Sequence, residues 1–243
     1  MKEDIEIPTK QNTTIRATQY INNKNHIIIF SHGYLGDRHE FGLFDAIIEA
    51  LDEKYSYCTF DYVGCGLSDD ALLSVQQHRS DLEDVISYYT KKGFERIIVI
   101  GHSLGCLMAL QLHQRIDYFI LLAPVTQKSQ YSLDKYYSTQ ELEELQQKGY
   151  ITKIINNRVM KVAKHMFDER EQLNQQALLK DITKKGIIIH GDKDTALPVQ
   201  DSIDAKRILQ DRCTLYIIKD ADHIFKGKQD EVIGIIKSYI KEL

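Results

Sequence analysis

Gly101-His102-Ser103-Leu104-Gly105 is the stretch of sequence that decides the fold. It has the form Gly-x-Ser-x-Gly, and it lies between a β-branched run at residues 96–100 and an apolar stretch with helical spacing that begins at Leu104. A serine on so tight a turn takes strained backbone angles, and only residues without a Cβ atom can pass close to it on either side. The pattern predicts a strand–turn–helix unit of an α/β protein, with the Ser103 hydroxyl raised above the carboxyl end of the sheet.

The rest of the chain shows the same alternation of short strands and amphipathic helices. Runs of β-branched residues bounded by turn residues alternate with segments of helical periodicity, which is typical of a mostly parallel sheet with helices on both faces. Several strands are apolar throughout, as strands buried on both faces should be. We expect strands at residues 26–31, 56–62, 96–100, 119–123, 186–190 and 214–219. We expect helices at residues 41–51, 74–91, 104–114, 200–209 and 231–239.

Two segments do not follow this alternation of strands and helices. The residues up to about Asn23 are expected to form an antiparallel strand pair at the edge of the sheet. Residues 126–185 are rich in Gln, Glu, Lys and Tyr and stand between two predicted strands. We interpret them as a small cap inserted into a core formed by residues 1–125 and 186–243, the whole being a single domain.

Within the predicted cap, the sequence indicates three kinds of element. Residues 139–148 have the pattern of a polar helix. Residues 151–162 are expected to form a β-hairpin that turns at Asn156-Asn157, because asparagine tolerates the positive φ of a two-residue turn. Two short helices are expected to follow before the next strand.

The composition excludes several classes of protein. Lys and Arg number 31 against 35 Asp and Glu, so the surface offers no basic field for nucleic acid. The apolar runs are too short to cross a bilayer, and the first residues lack the apolar region of a signal peptide. The 4 cysteines are scattered without zinc-site spacing, and reduced thiols suit the cytosol. We therefore expect a cytoplasmic protein without an integral membrane segment; its oligomeric state is left open.

A serine hydroxyl becomes a good nucleophile only when a base removes its proton, so an acid and a histidine should follow the serine along the chain. Both occur where late strands are expected to end. We predict Asp194 as the acid, with Asp192 as the alternative, and His223 as the base. The other role of Asp192 would be to order its own turn. Asp220 and Asp222 are interpreted as loop carboxylates.

The tetrahedral intermediate of acyl transfer also needs donors aimed at its oxyanion. The Leu104 N–H is one candidate, because it lies at the positive end of its helix. We expect the second from the loop His32-Gly33-Tyr34-Leu35-Gly36 and nominate the backbone N–H of Tyr34. The alternative for this loop is an ordinary glycine turn. His32 is interpreted as a structural hydrogen-bonding residue rather than as a second base.

With these residues in view, the chain resembles the serine α/β-hydrolase family over nearly its whole length. Within that family it is most similar to small esterases of the feruloyl (cinnamoyl) esterase and monoacylglycerol lipase kind. The segments that carry the resemblance are HGYLG at His32, DYVGCGLSD at Asp61, GHSLG at Gly101, HGDKDTALP at His190 and DADHIF at Asp220. Their joint order and spacing are far more specific than any one of them.

The resemblance implies an α/β-hydrolase fold and hydrolysis of a small-molecule carboxylic ester through an acyl-enzyme, without a metal or an organic cofactor. It implies a catalytic triad of Ser103, Asp194 and His223, with Tyr34 and Leu104 as the oxyanion hole. Two alternatives stay open. One is amide or thioester hydrolysis with the same triad, and the other is non-catalytic ligand binding on the same fold.

The substrate pocket is expected to depend on Tyr and Phe, since the chain has no Trp. We predict that three cap residues, Tyr131, Tyr136 and Tyr150, contact the substrate. Tyr137 and Phe167 are further candidates for lining an acyl or aromatic pocket. The alternative is that these side chains simply pack the cap onto the core.

Overall fold

The computed structural model describes residues 2–51, 53–127 and 133–243, which form a large sheet, a small sheet and the helices around them. The large sheet contains β1 Lys2–Pro8, β2 Thr14–Tyr20, β3 Ile27–Ser31, β4 Ser56–Phe60, β6 Ile97–His102, β7 Tyr118–Leu122, β10 Lys185–Gly191 and β11 Cys213–Ile218. The small sheet contains β5 Leu72–Leu73, β8 Tyr150–Ile155 and β9 Arg158–Ala163. The α-helices are α1 Leu43–Ala50, α2 Val75–Lys91, α3 Leu104–Gln111, α4 Thr139–Lys148, α5 Lys164–Gln172, α6 Gln175–Asp181, α7 Val199–Leu209 and α8 Gln229–Lys241.

The large sheet has the strand order β1-β2-β4-β3-β6-β7-β10-β11. The β1–β2 and β2–β4 pairs are antiparallel, and the remaining pairs are parallel. This order confirms the predicted mostly parallel sheet with an antiparallel pair at one edge. None of the helices in the described ranges has both the length and the apolar character that crossing a membrane requires.

The two faces of the sheet are buried by separate layers of helices. In β3, Ile27 and Ile29 belong to the layer that includes side chains of α2 and α3, whereas Ile28 and Phe30 belong to the layer that includes side chains of α1 and α8. Successive side chains of a strand point to opposite faces, so a strand covered on both sides has to be apolar at every position. This double burial explains the unbroken apolar runs of β3 and β6.

The core strands and helices predicted from the sequence are confirmed, with ends that shift by up to three residues. Helix α1 begins at Leu43 rather than at residue 41 because three residues before it have positive φ. These are Glu40 at 45°, Phe41 at 56° and Gly42 at 83°. Right-handed helix cannot continue through such angles, and the sequence gives no sign of them at Glu40 and Phe41.

The elements expected within residues 126–185 are present where the structure describes them. Ser138 and Glu141 form a reciprocal capping box that starts α4, and Gly149 ends it with a φ of 77°. The β8–β9 hairpin turns at Asn156 and Asn157, whose φ values are 50° and 63°. Helices α5 and α6 follow. The sequence did not predict the parallel pairing of β5 with β9, since two residues carry no periodicity.

Helix α3 packs unusually close to β3, and a glycine makes this possible. A Cβ atom at Gly105 would lie 2.0 Å from the carbonyl oxygen of Ser31. A Cβ atom at Gly101 would lie 2.7 Å from the backbone nitrogen of Cys106. Both glycines of the Gly-x-Ser-x-Gly motif are therefore required by backbone contact.

Replacing Gly105 by alanine should lower the free energy of unfolding by about 1–3 kcal/mol or more, because the added methyl group overlaps backbone that cannot move aside easily. Urea denaturation measures the change. Gly234→Ala is the matched control, since a Cβ atom there meets nothing within 4 Å. It should raise the stability by about 0.5–1 kcal/mol, as expected for the interior of a helix. A Gly105→Ala protein as stable as the wild type would contradict the close contact.

Candidate active site

Ser103 lies on the turn between β6 and α3 in a conformation that side chains rarely adopt, with φ 50° and ψ −115°. Its N–H donates to the carbonyl oxygen of Leu122 at 2.9 Å, and its carbonyl oxygen accepts from the N–H of Cys106 at 3.2 Å. These bonds hold the strained turn at the carboxyl end of the parallel strands. The predicted position of the serine in the fold is thus the observed one.

A cavity of about 350 Å³ opens over Ser103. The core contributes Gly33, Tyr34, Leu104, Val125, Leu197 and His223 to its walls. Residues 133–170 contribute Tyr136, Tyr137, Met166, Phe167 and Arg170. We refer to Tyr136, Tyr137 and Phe167 as the aromatic wall. The cavity is therefore mainly apolar and aromatic, and its polar side chains include Glu40, His102, Arg170 and His223.

His223 and Asp194 are joined directly: Nδ1 of His223 donates to Oδ2 of Asp194 at 2.6 Å. The same oxygen accepts from Nε2 of His190 at 3.0 Å. The other carboxylate oxygen accepts from the N–H groups of Ala196 and Leu197 at 2.8 and 2.9 Å. Burial by itself raises the pKa of Asp194, but the hydrogen bonds from His190, His223 and Leu197 outweigh it and hold the pKa well below its usual range.

An ionised Asp194 fixes the tautomer of His223. A carboxylate can only accept, so Nδ1 carries the proton and Nε2 of the neutral ring is left to accept one. Ser103 and His223 line the same cavity, and in the described part of the chain no hydrogen bond joins their side chains. Catalytic hydrogen bonds are often long in the absence of substrate. The arrangement is chemically able to serve a serine nucleophile.

Both residues proposed to supply oxyanion donors line the cavity that contains Ser103. Leu104 is the first residue of α3, so its N–H has no acceptor within the helix, and Leu104 lines the cavity. Tyr34 also lines the cavity, and its hydroxyl bonds to the hydroxyl of Tyr137 at 2.8 Å. A Cβ atom at the neighbouring Gly33 would lie 3.2 Å from Cβ of Ser103. The loop after β3 therefore closes directly onto the turn that carries Ser103.

His32 has the structural role expected for it. It is fully buried, its Nε2 accepts the N–H of Tyr62 at 3.1 Å, and its Nδ1 bonds to the carbonyl oxygen of Gly33 at 2.9 Å. Because both nitrogens are occupied, the ring has no position from which to act as a second base. Its bonds tie the loop after β3 to the loop after β4.

The remaining acidic candidates order the loops. Oδ1 of Asp192 accepts the N–H of Asp220 at 2.7 Å, which ties the loop after β10 to the loop after β11. Its observed role is to join two loops, whereas the other role expected from the sequence was to order its own turn. Oδ1 of Asp222 accepts the N–H groups of Ile224 and Lys226 at 3.2 and 2.9 Å. Asp194, and neither of these, bonds to the imidazole of His223.

The three tyrosines predicted to contact substrate have different positions. Tyr136 lines the cavity and is 60% exposed. Tyr131 lies outside the described residues. Tyr150 lies on β8 with Nζ of Lys161 5.5 Å from its ring centre, and it is absent from the described lining of the cavity. Tyr137 and Phe167 do line it, with ring centroids 5.4 Å apart and edge to face.

Three polar residues near the site were missed by the sequence analysis. His190 donates to Asp194, and it begins the HGDKD segment, which was the available signal. Glu40 and His102 are buried residues that line the cavity, with Oε1 of Glu40 2.5 Å from Nδ1 of His102. His102 lies inside the Gly-x-Ser-x-Gly motif, whereas Glu40 carries no local signal at all.

Comparison with known proteins places this arrangement in a family. The sequence profile described as alpha/beta hydrolase fold matches residues 26–166, which is more than half of the chain. The chain belongs to the α/β hydrolase fold family. The resemblance read from the motifs is thereby confirmed.

Relatives by sequence and by structure include esterases. The chain is 27% identical over 114 residues to putative esterase/lipase 2 of Mycoplasma pneumoniae, a match covering 44% of this chain and 40% of the relative. It is 29% identical over 127 residues to probable lysophospholipase BODYGUARD 1 of Arabidopsis thaliana, covering 48% of this chain and 26% of the relative. The chain thus spans less than half the length of these curated relatives.

Solved structures share the fold over almost the entire chain. Est1E from Butyrivibrio proteoclasticus, solved with ferulic acid bound, has a TM-score of 0.81 at 20% identity and covers 98% of each chain. The Pyrococcus furiosus esterase Pf2001 has a TM-score of 0.75 at 21% identity, covering 100% of this chain and 92% of its own. At these identities the likeness establishes the fold.

The lowered pKa of Asp194 predicts how the free energy of unfolding depends on pH. Because the folded-state pKa lies below the unfolded value of about 3.9, the ionised group stabilises the fold above that value, and the contribution is lost as pH falls through the folded pKa. Asp194→Asn should therefore reduce the free energy of unfolding more at pH 7 than at pH 3, measured by urea denaturation. The exposed Asp211→Asn is the control, expected to change little at either pH. Equal losses for Asp194→Asn at both pH values would contradict the ionised assignment.

Proposed function

We propose that this chain is a serine hydrolase that cleaves carboxylic esters through an acyl-enzyme intermediate. The observation that carries the proposal is the 2.6 Å hydrogen bond between His223 and Asp194 at the cavity that also contains Ser103. It is supported by the strained turn of Ser103 and by the esterases among the similar proteins. Ser103 would be the nucleophile, His223 the base and Asp194 the orienting acid.

In the proposed reaction, Oγ of Ser103 attacks the ester carbonyl while Nε2 of His223 takes its proton. The N–H groups of Leu104 and Tyr34 stabilise the oxyanion of the tetrahedral intermediate. The imidazolium then donates its proton to the leaving alcohol as the C–O bond breaks. Water, deprotonated by His223, releases the acid and restores the serine. Asp194 stabilises the imidazolium at each stage.

We propose residues 126–185 as a cap that forms one side of the acyl pocket. The aromatic wall and Met166 come from this segment and line the same cavity as Ser103. A pocket of this composition favours a flat or apolar acyl group. Est1E, whose structure resembles this one, was solved with ferulic acid, an aromatic acid. Small-molecule esters with an aromatic acyl group are therefore the proposed substrate class.

We also propose a cytoplasmic location. The four cysteines are free and buried. Thiols remain reduced in the cytosol, whereas secreted proteins tend to pair them.

Ser103→Ala should abolish ester hydrolysis, because loss of a serine nucleophile costs on the order of 10⁶ in kcat in proteases. Turnover of p-nitrophenyl acetate and butyrate, together with labelling by a fluorophosphonate, measures the effect. Ser238→Ala, on α8, is the matched control and should retain wild-type activity.

Activity of Ser103→Ala equal to that of the wild type would refute the assignment of the nucleophile. Wild-type preference for aminoacyl-arylamides or acyl-CoA over simple esters would instead indicate amide or thioester hydrolysis with the same residues. Binding without turnover across the ester panel would indicate a ligand-binding protein.

Phe167→Leu tests the proposed aromatic substrate class. The substitution keeps an apolar side chain but removes the ring, and an aromatic pair contributes about 0.5–1.5 kcal/mol beyond the area it buries. We expect kcat/KM for methyl ferulate to fall by up to about tenfold relative to kcat/KM for p-nitrophenyl acetate. Tyr216→Leu, on the edge strand β11, should leave the ratio unchanged. An unchanged ratio in Phe167→Leu would argue against stacking on the aromatic wall.

A further inference from the structure

We propose that Glu40 and His102 are positioning residues, a buried pair that holds the backbone of His223 and the loop after β3 in place around Ser103. The inference rests on the proposed function, since it assigns a purpose to two buried side chains of that same site. Both residues line the cavity, but their polar atoms are engaged with each other and with the backbone of the loops around Ser103. They act through the groups they hold.

The pair contacts three separate segments of the site. Nδ1 of His102 lies 2.5 Å from Oε1 of Glu40, and each side chain is only 2% exposed. Nε2 of His102 lies 2.9 Å from the backbone carbonyl oxygen of His223. Oε2 of Glu40 accepts the N–H of Gly33 at 3.1 Å. One buried carboxyl and one imidazole thus connect the nucleophile turn, the loop after β11 and the loop after β3.

The chemistry of the acceptors fixes where the protons are. A backbone carbonyl oxygen can only accept, so Nε2 of His102 must carry a hydrogen that it donates to His223. A second hydrogen lies between Nδ1 and Glu40. Burial lowers the pKa of His102, but the adjacent Glu40 outweighs that effect and raises the pKa above its usual value. The N–H of Gly33 donates to the other carboxyl oxygen of Glu40, so both oxygens of this side chain are engaged in hydrogen bonds.

The backbone conformation at Glu40 places its carboxyl group in the buried space beside Gly33 and Gly36. Glu40 and Phe41 both have positive φ, a conformation that is unfavourable for a residue with a Cβ atom. The loop after β3 leaves space for it: a Cβ atom at Gly33 would lie 2.8 Å from Oε1 of Glu40, and one at Gly36 would lie 2.3 Å from Oε2. The two glycines of this loop therefore accommodate the buried carboxylate as well as the turn.

The consequence for catalysis follows from where His223 is held. Its side chain is fixed by Asp194, while its backbone is fixed by His102, the residue directly before the nucleophile. The two histidine rings are 4.8 Å apart. Loss of the pair frees the loop after β11 to shift relative to Ser103. A misplacement of about 1 Å at a reacting group can cost on the order of 10² in rate.

Three variants test the proposal. Glu40→Ala and His102→Phe should each lower kcat for p-nitrophenyl butyrate by on the order of 10², with KM within about threefold of the wild type, because alignment and not binding is lost. Glu40→Gln should recover kcat to within about fivefold, since a glutamine can accept from Gly33 and donate to Nδ1, leaving Nε2–H for His223. A role in stability alone would predict neither a loss of kcat at nearly constant KM nor the recovery of kcat in Glu40→Gln.

His113→Phe is the matched control. His113 is also a buried histidine near a carboxylate, with Nε2 3.4 Å from Asp181, but it is absent from the described cavity lining. It should change thermal stability without changing kcat. If Glu40→Ala fails to fold, nitrogen-15 NMR of labelled histidine answers the question in the wild type and in Glu40→Gln: Nε2 of His102 should be protonated at pH 8 in both.

The two proposals fail in different ways. Hydrolysis retained by Ser103→Ala would overturn the proposed function, and the NMR signal of His102 would still test the buried pair. Hydrolysis lost in Ser103→Ala but retained within threefold in both Glu40→Ala and His102→Phe would overturn the positioning role alone. An unprotonated Nε2 of His102 in the folded wild type would overturn it as well.

Discussion

The hydrogen bond from His223 to Asp194 is the constraint on which the rest of the site depends. A carboxylate with no exposed surface is costly unless donors surround it, and here two imidazoles and two backbone N–H groups do so. His190 lies near the end of β10, and the other donors come from the loops after β10 and β11, so satisfying one buried charge also sets the geometry of both loops. The hydrogen bonds that orient His223 therefore also fix the backbone at this end of the sheet.

Much of the core could be read from the sequence because its strands are buried on both faces. Residues such as Ile28 and Ile29 face opposite helix layers, and that requirement leaves an apolar run which composition alone reveals. The glycines beside Ser103 were predictable for a similar reason, since backbone contact allows no Cβ atom there. In each case a short stretch of sequence shows the constraint directly: burial on both faces requires apolar residues, and close backbone contact requires glycine.

What the sequence did not reveal depends on contacts between distant residues. Glu40 and His102 are 62 positions apart, and no spacing rule links them. The positive φ of Glu40 is imposed by its buried partners and not by its own preference, so α1 starts later than its periodicity suggests. Tyr150 was a reasonable pocket candidate by composition, but its strand sets it beside Lys161, away from the cavity.

The pairing of β5 with β9 ties the β8–β9 hairpin to the part of the chain that precedes α2. Leu73 has no exposed surface and sits opposite Val162, so the hairpin covers part of the chain that precedes α2. Removing the hairpin would uncover that leucine and leave an open strand edge. A shortened protein would need polar residues in place of Leu72 and Leu73, so the hairpin cannot be cut away without redesigning the segment before α2.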